Sequence, residues 1–133
     1  MAPQIESLVR EECLRLLGTA AVGRIGVSSA ALPVILPVNF VVFDDGIVFR
    51  TAAGTKLAAA AAGTVVAFEV DDYASDGRSG WSVLVQGVAR TLDTPEERAG
   101  VDGTALESWA VGADADHLVR IDPQVVTGRR FSR

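Results

Sequence analysis

Residues 49–57 read FRTAAGTKL and crowd Arg50, Thr51, Gly54, Thr55 and Lys56 at the end of a strand-like run, GIVFR. Side chains of these types hold phosphate. Where a strand runs into a helix, the first helical N–H groups lack intrahelical partners and sit at the positive end of the helix dipole. A guanidinium adds a two-pronged contact to phosphate oxygens, and an ammonium adds a compact charge. The competing reading is a solvated loop with two cations on it. Of the 12 cations in the chain only Lys56 is a lysine, and its place beside Arg50 and two hydroxyls favours the phosphate site.

Other constellations are poorer in chemistry. His117 is the only histidine, whereas zinc and non-haem iron sites draw on several ligands. It reads as a strand-end residue, with haem ligation by a lone histidine left open. Cys13 is the only cysteine, which excludes an intramolecular disulfide. Within LVREECLRLL it falls on or near the buried face of a helix, a structural position. The sequence has no G-x-S-x-G elbow, P-loop or dinucleotide fingerprint, and GVDG and GRSG have turn compositions. The acid pairs Asp44-Asp45 and Asp71-Asp72 are sequence neighbours. In a strand or turn such neighbours diverge or face water, a poor arrangement for general acid-base work.

The elements that must position the 49–57 segment follow from the totals and the patterning. A chain of 133 residues is one domain's worth and can bury an ordinary core without staples. Hydrophobic residues make up 49% and aromatics only 6%, so the core is built of Val, Ala, Leu and Ile, which leans toward strands with a few Ala-rich helices. The net charge of −5 is spread along the chain, so a nucleic-acid partner, which needs clustered Lys and Arg, is not expected. No segment has the ~18 apolar residues of a membrane span, and the start of the sequence has no charged-then-apolar signal pattern. The expectation is a cytoplasmic protein.

Apolar residues at Leu8, Val9, Cys13, Leu14, Leu16 and Leu17 predict a helix over 7–17, ended by Gly18. AAVGRIGVS, LPVILPVNFVVF and GIVFRTA then read as three strands, the last two joined by an Asp44-Asp45-Gly46 hairpin turn. Thr55 is the expected N-cap of a short Ala-rich helix over 55–62, closed by Gly63. TVVAFEVDDY and SVLVQGVARTL are two more strands, with Gly87 a bulge or a point of close approach. Thr94, Pro95 and Glu97 form a capping-box start to another helix, and HLVRIDPQVVTGRRF reads as one last strand. Short connections between most strands argue for a largely antiparallel small barrel in a single domain over residues 1–133.

With these residues in view, the sequence resembles the pyridoxamine 5′-phosphate oxidase-like flavin-binding proteins, the split β-barrel group, in their small single-domain form. The resemblance runs from LGTAAVGRIGV through LPVNFVVFDDGIVFRTAAGTKL and VVAFEVDDYASDGRSGWSVLVQGVA to HLVRIDPQVVTGRRF; the N-terminal helix and residues 101–116 are least distinctive. It implies a mainly β fold, a six-stranded antiparallel split barrel, assembled as a homodimer with two FMN sites at the interface. By resemblance Arg50, Thr51, Thr55 and Lys56 hold the ribityl phosphate. Pro37, Val38 and Asn39 lie beside the isoalloxazine edge, with Trp81, Ser82 and Gln86 reaching it from the same or the neighbouring subunit. Trp109 either shields the ring or packs, and Arg129 and Arg130 either neutralise phosphate or decorate a strand end.

The vitamin-salvage enzymes of the wider family carry further basic and histidine residues for the substrate phosphate, and this chain shows no equivalent set. The expected function is therefore an FMN-dependent oxidoreductase of a small molecule of unknown identity, such as a quinone-like or nitroaromatic compound, with no catalytic triad because the flavin carries the reaction. The alternatives are a non-catalytic FMN-binding or sensing protein, a reductase using the deazaflavin coenzyme F-420 with Arg24, Arg78 and Arg90 as available cations, and, more weakly, a haem protein.

Overall fold

The computed structural model describes residues 2–52, 54–102 and 117–133. Its strands are β1 (Gln4–Ser7), β2 (Val22–Ser29), β3 (Leu32–Phe43), β4 (Gly46–Thr51), β5 (Val65–Tyr73), β6 (Ser79–Thr91), β7 (His117–Ile121) and β8 (Val125–Ser132). Its helices are α1 (Arg10–Leu17), α2 (Lys56–Ala61) and α3 (Pro95–Asp102). Every strand pairing is antiparallel, in the order β1-β8-β6-β5-β2-β3-β4-β7, and a second pairing of β6 with β7 closes the circle. The result is a closed six-stranded barrel of β2 to β7, with β8 and β1 as extra strands beside it.

Inside the barrel, alternate residues of each strand meet. Ile25, Phe40, Phe49, Phe68, Val83, Val85 and Ile121 form the main core, joined at the barrel ends by Cys13, Leu16 and Leu17 of α1 and by Ala61 of α2. The Phe40 and Phe68 rings meet edge to face at 4.9 Å, the geometry their quadrupoles favour. A second, smaller cluster lies outside the barrel wall, where Val48, Leu92 and Leu118 pack with Val101 of α3.

Three elements depart from the sequence expectation. Residues 4–7 form a strand, and the helix expected from residue 7 begins at Arg10, because Gln4–Ser7 pair with Arg129–Ser132 at the sheet edge. The last expected strand is two strands. At Asp122–Gln124 the chain leaves the barrel edge of β6 beyond Gly87 and rejoins β6 on its earlier half, so that Ala89–Thr91 pair with β7 and Ser79–Gln86 with β8. The change of partner is fixed by hydrogen bonds from Asp122 N to Val88 O (3.1 Å), from Gln124 N to Gln86 O (3.1 Å) and from Val88 N to the Gln124 Oε1 (2.9 Å).

Both turns flanking β3 run through positive φ. Asp44 and Asp45 take φ of 51° and 58°, as the two-residue hairpin signal requires. Arg120 clamps that turn by donating to the carbonyls of Phe43 and Asp44, each at 2.9 Å, and to Asp122 at 2.8 Å. Between β2 and β3 the same conformation falls to Ala30 and Ala31, with φ of 50° and 64°. Among the described residues no helix is long and apolar enough to cross a membrane.

Gly87 is the point of close approach: a Cβ there would overlap the Asp122 carbonyl oxygen, a backbone atom that cannot swing aside. Gly87→Ala is expected to destabilise the fold by about 1–3 kcal/mol or more, read as a lower urea midpoint. An unchanged midpoint would show that β6 does not depend on this contact.

Candidate functional site

Strand β4 delivers the chemistry-bearing segment to one end of the barrel. Its residues alternate, so Ile47, Phe49 and Thr51 point inward while Val48 and Arg50 point to the outer side. Thr51 is the buried polar residue of the described core, 7% exposed. Its Oγ1 lies 3.4 Å from the Oγ1 of Thr55. Thr55 is the N-cap that the sequence predicts for α2, its hydroxyl accepting from Ala58 N at 3.1 Å. Gly54, at φ +78°, supplies the left-handed residue that brings the two threonines together.

The two hydroxyls open on a cavity of about 600 Å³. Its walls are Val27, Val34 and Leu36 of the β2–β3 hairpin and Leu57 of α2, so it is apolar with a polar end. Both size and lining fall within the range of small-molecule sites.

The other expected residues divide between faces. Arg50 is half-buried on the opposite side of β4 from Thr51, because adjacent strand residues point apart. Lys56 is the first residue of α2; its side chain lies outside the described part of the structure. Val38 is in the barrel core, whereas Pro37 is exposed and the half-buried Asn39 donates to the Ala21 carbonyl at 3.4 Å. On β6, Trp81 packs against the core from the inner side, while Ser82 and the exposed Gln86 share the outer face with Leu84. Thus Thr51 and Thr55 come together, Pro37, Asn39, Ser82 and Gln86 share the sheet's outer face, and one chain does not bring the two sets onto one surface.

One further feature suits the β3 expectation. Strand β4 pairs with β3 only over Phe40–Phe43, so among the described strands none covers that edge of β3 over residues 32–39. Backbone groups on such an edge are ready acceptors and donors for a ligand. Arg130 pairs with Glu12 at 3.0 Å and approaches Glu6 at 4.0 Å, and Arg129 is exposed beside Ser82. Trp109 lies outside the described residues. His117 opens β7 opposite Thr51, with its Nε2 3.3 Å from the Thr91 hydroxyl.

Sequence reasoning missed a charged cluster on the outer face. Arg24 Nη1 lies 3.3 Å from Glu69 and 3.4 Å from Asp71. The acids that share a face are Glu69 and Asp71, two apart in β5, and not the neighbours Asp71 and Asp72; the period of two in VVAFEVDD carried that signal. Burial of the carboxyl raises Glu69 from the ordinary 4.5 to about 7, helped by its hydrogen bond with Asp71 and that residue's negative charge, and opposed by Arg24. Glu12 moves the other way, to about 2, through hydrogen bonds from Arg15 and Arg130.

The closed six-stranded antiparallel barrel, with two extra strands and short helices, is of the split-barrel class. The chain belongs to the pyridoxamine 5′-phosphate oxidase family, whose model matches residues 9–130. It is 40% identical to the Mycobacterium tuberculosis protein Rv0080 over 135 residues, 98% of this chain and 88% of that protein. Among solved structures it is similar to the FAD binding protein of Mycobacterium smegmatis, with 41% identity, a TM-score of 0.86 and coverage of 96% of this chain and 99% of that one. A FAD-binding protein of Mesorhizobium loti superposes with a TM-score of 0.80 at 25% identity, covering 99% and 100% of the two chains.

The two shifted carboxylates give stability opposite slopes. Glu69 is raised on folding, so between about pH 4.5 and 7 the native chain keeps a proton that the unfolded chain has released. Its contribution is full below that window and is lost as pH rises through it. Glu12 is depressed, so its contribution is present above the ordinary carboxylate range and is lost as pH falls toward 2. Urea midpoints from pH 4.5 to 7 should therefore fall in the wild type relative to Glu69→Gln. Parallel profiles would remove Glu69 as a titrating group of the fold.

Proposed function

We propose that this chain binds a flavin nucleotide, with the phosphate end at the β4–α2 junction. The observation that carries the reading is the buried Thr51 hydroxyl, paired with the Thr55 cap and facing a cavity of about 600 Å³. Relatives that are described as FAD binding support a flavin as the ligand class, and they make FAD the form to test beside the FMN expected from the sequence. In this reading Thr51 and Thr55 donate to phosphate oxygens and Lys56 supplies the charge. Pro37, Val38 and Asn39 lend backbone along the open β3 edge to the ring.

Ser82 and Gln86 stand on another face, and we assign them to the site completed by a second copy of the chain. A homodimer with one cofactor site per copy at the interface follows from that assignment. Once bound, the flavin supplies hydride transfer. The residues bind and orient it, and none of them is asked for acid-base work. Oxidoreduction of a small molecule is the activity this arrangement suits.

The purified protein should be yellow or become so on titration with FAD or FMN, and NAD(P)H should bleach the bound flavin in the absence of oxygen. A colourless protein that binds FAD, FMN and the deazaflavin coenzyme F-420 equally poorly would end this reading. Binding without any reduction would leave a sensor or carrier. Lys56→Ala should weaken FMN by about 1.5–3 kcal/mol, roughly ten- to a hundred-fold, and leave riboflavin nearly untouched; equal losses for both would contradict the phosphate role.

A further inference from the structure

The inner face of the barrel turns polar where β4, β7 and β6 meet at one end. Two positions deeper on those strands stand Phe49, Val119 and Ala89, all in the core. At the end itself, alternation brings Thr51, His117 and Thr91 to the same face. Thr51 and His117 are opposite each other in the β4–β7 register, which sets their β-carbons about 4.5–5.5 Å apart. The His117 Nε2 in turn lies 3.3 Å from the Thr91 Oγ1. Two polar pairs, Thr55–Thr51 and His117–Thr91, therefore stand side by side across the barrel end, and His117 and Thr91 are half-buried, within reach of solvent.

We propose that His117 and Thr91 hold the second phosphate of a flavin dinucleotide, so that this chain takes FAD in preference to FMN. The proposal rests on the flavin reading above and names the form of the cofactor and the residues that select it. The first argument is a count of donors. Thr51 and Thr55 carry two O–H groups; one serves the contact between them and the other is left for a ligand. A neutral imidazole has one N–H and Thr91 one O–H; whichever of them makes the 3.3 Å contact, the other is left. Each pair can thus give one hydrogen bond to a phosphate oxygen, and His117 is the member of the band that can also take a positive charge.

The order of the strands supplies the second argument. Around the barrel the neighbours are β3, β4, β7 and β6. The open edge of β3 is assigned to the ring and Thr51 of β4 to the first phosphate, and His117 and Thr91 occupy the next two strands in the same direction. A flavin dinucleotide has its parts in that sequence: ring, ribityl chain, first phosphate, second phosphate. Its two phosphates share a bridging oxygen and must lie side by side, as the facing positions of Thr51 and His117 do. FMN ends at the first phosphate and would leave the His117–Thr91 pair unused. The contact between those two side chains satisfies one group of each, but it does not account for their place on a face that is apolar two positions deeper.

Fluorescence titration of the full chain with FMN and with FAD tests the proposal. The wild type should bind FAD about tenfold or more tightly than FMN. His117→Ala should lower FAD affinity by roughly ten- to a hundred-fold and leave FMN nearly untouched. Thr91→Val, which nearly keeps the shape and loses the hydroxyl, should act on FAD alone by about two- to tenfold. Thr51→Val should weaken both flavins alike. If circular dichroism shows His117→Ala to be unfolded, Thr91→Val and the wild-type ratio decide. A wild type that binds FMN as tightly as FAD overturns the proposal, and so do His117 and Thr91 variants that weaken the two flavins equally or weaken neither. Those results leave the flavin reading standing, whereas a wild type that binds neither flavin brings down both.

Discussion

Strand β6 has to serve two sheets, and the contact that lets it do so governs the rest of the molecule. Its first half pairs with β8 and its last three residues with β7, and the exchange takes place where Gly87 lets the Asp122 carbonyl press against the strand. Without that approach β7 could not close the barrel while β8 extends the sheet. Closure in turn holds β4 between β3 and β7, which fixes the end of β4 and so the position of Thr51. A contact on one side of the barrel thus determines where the hydroxyl pair at its end can stand.

The alternation of strand residues decides how the candidate site is divided. Arg50 and Thr51 are neighbours in sequence and stand on opposite sides of β4; Val38 faces the core between Pro37 and Asn39, which face out. A ligand that met all of these side chains would have to touch both surfaces of one sheet, which the sheet itself forbids. The hydroxyl pair at the end of β4 and the polar residues of the outer face therefore belong to separate surfaces of one chain.

Much of this was legible in the sequence because it depends on local signals. The Asp44-Asp45-Gly46 turn, the Thr55 cap, the Thr94–Glu97 capping pair at 3.2 Å and the close approach at Gly87 each follow from a short run of residues. What was hidden depends on partners distant in the chain. Residues 4–7 are strand only because β8 lies beside them, and no feature of QIES announces it. The break at Asp122–Gln124 is imposed by β6, although Pro123 sits within it. The Arg24–Glu69–Asp71 cluster joins residues more than forty positions apart, which alternation could suggest and only pairing could bring together. For the candidate site, the threonine pair was readable, and the division of the remaining residues between faces was not, since it needed the register of β3 and β6.

The turn between β2 and β3 carries a different kind of information. Two successive alanines in the left-handed region cost about 1–2 kcal/mol each, because Cβ crowds the following carbonyl. This turn therefore opposes the hairpin that it joins. The eight register pairs from Val22–Asn39 to Ser29–Leu32 and the packing of Val27, Val34 and Leu36 offset the cost. The hairpin that walls the cavity is thus held by the assembled sheet rather than by its own turn, and its shape reports on the integrity of the barrel beneath it.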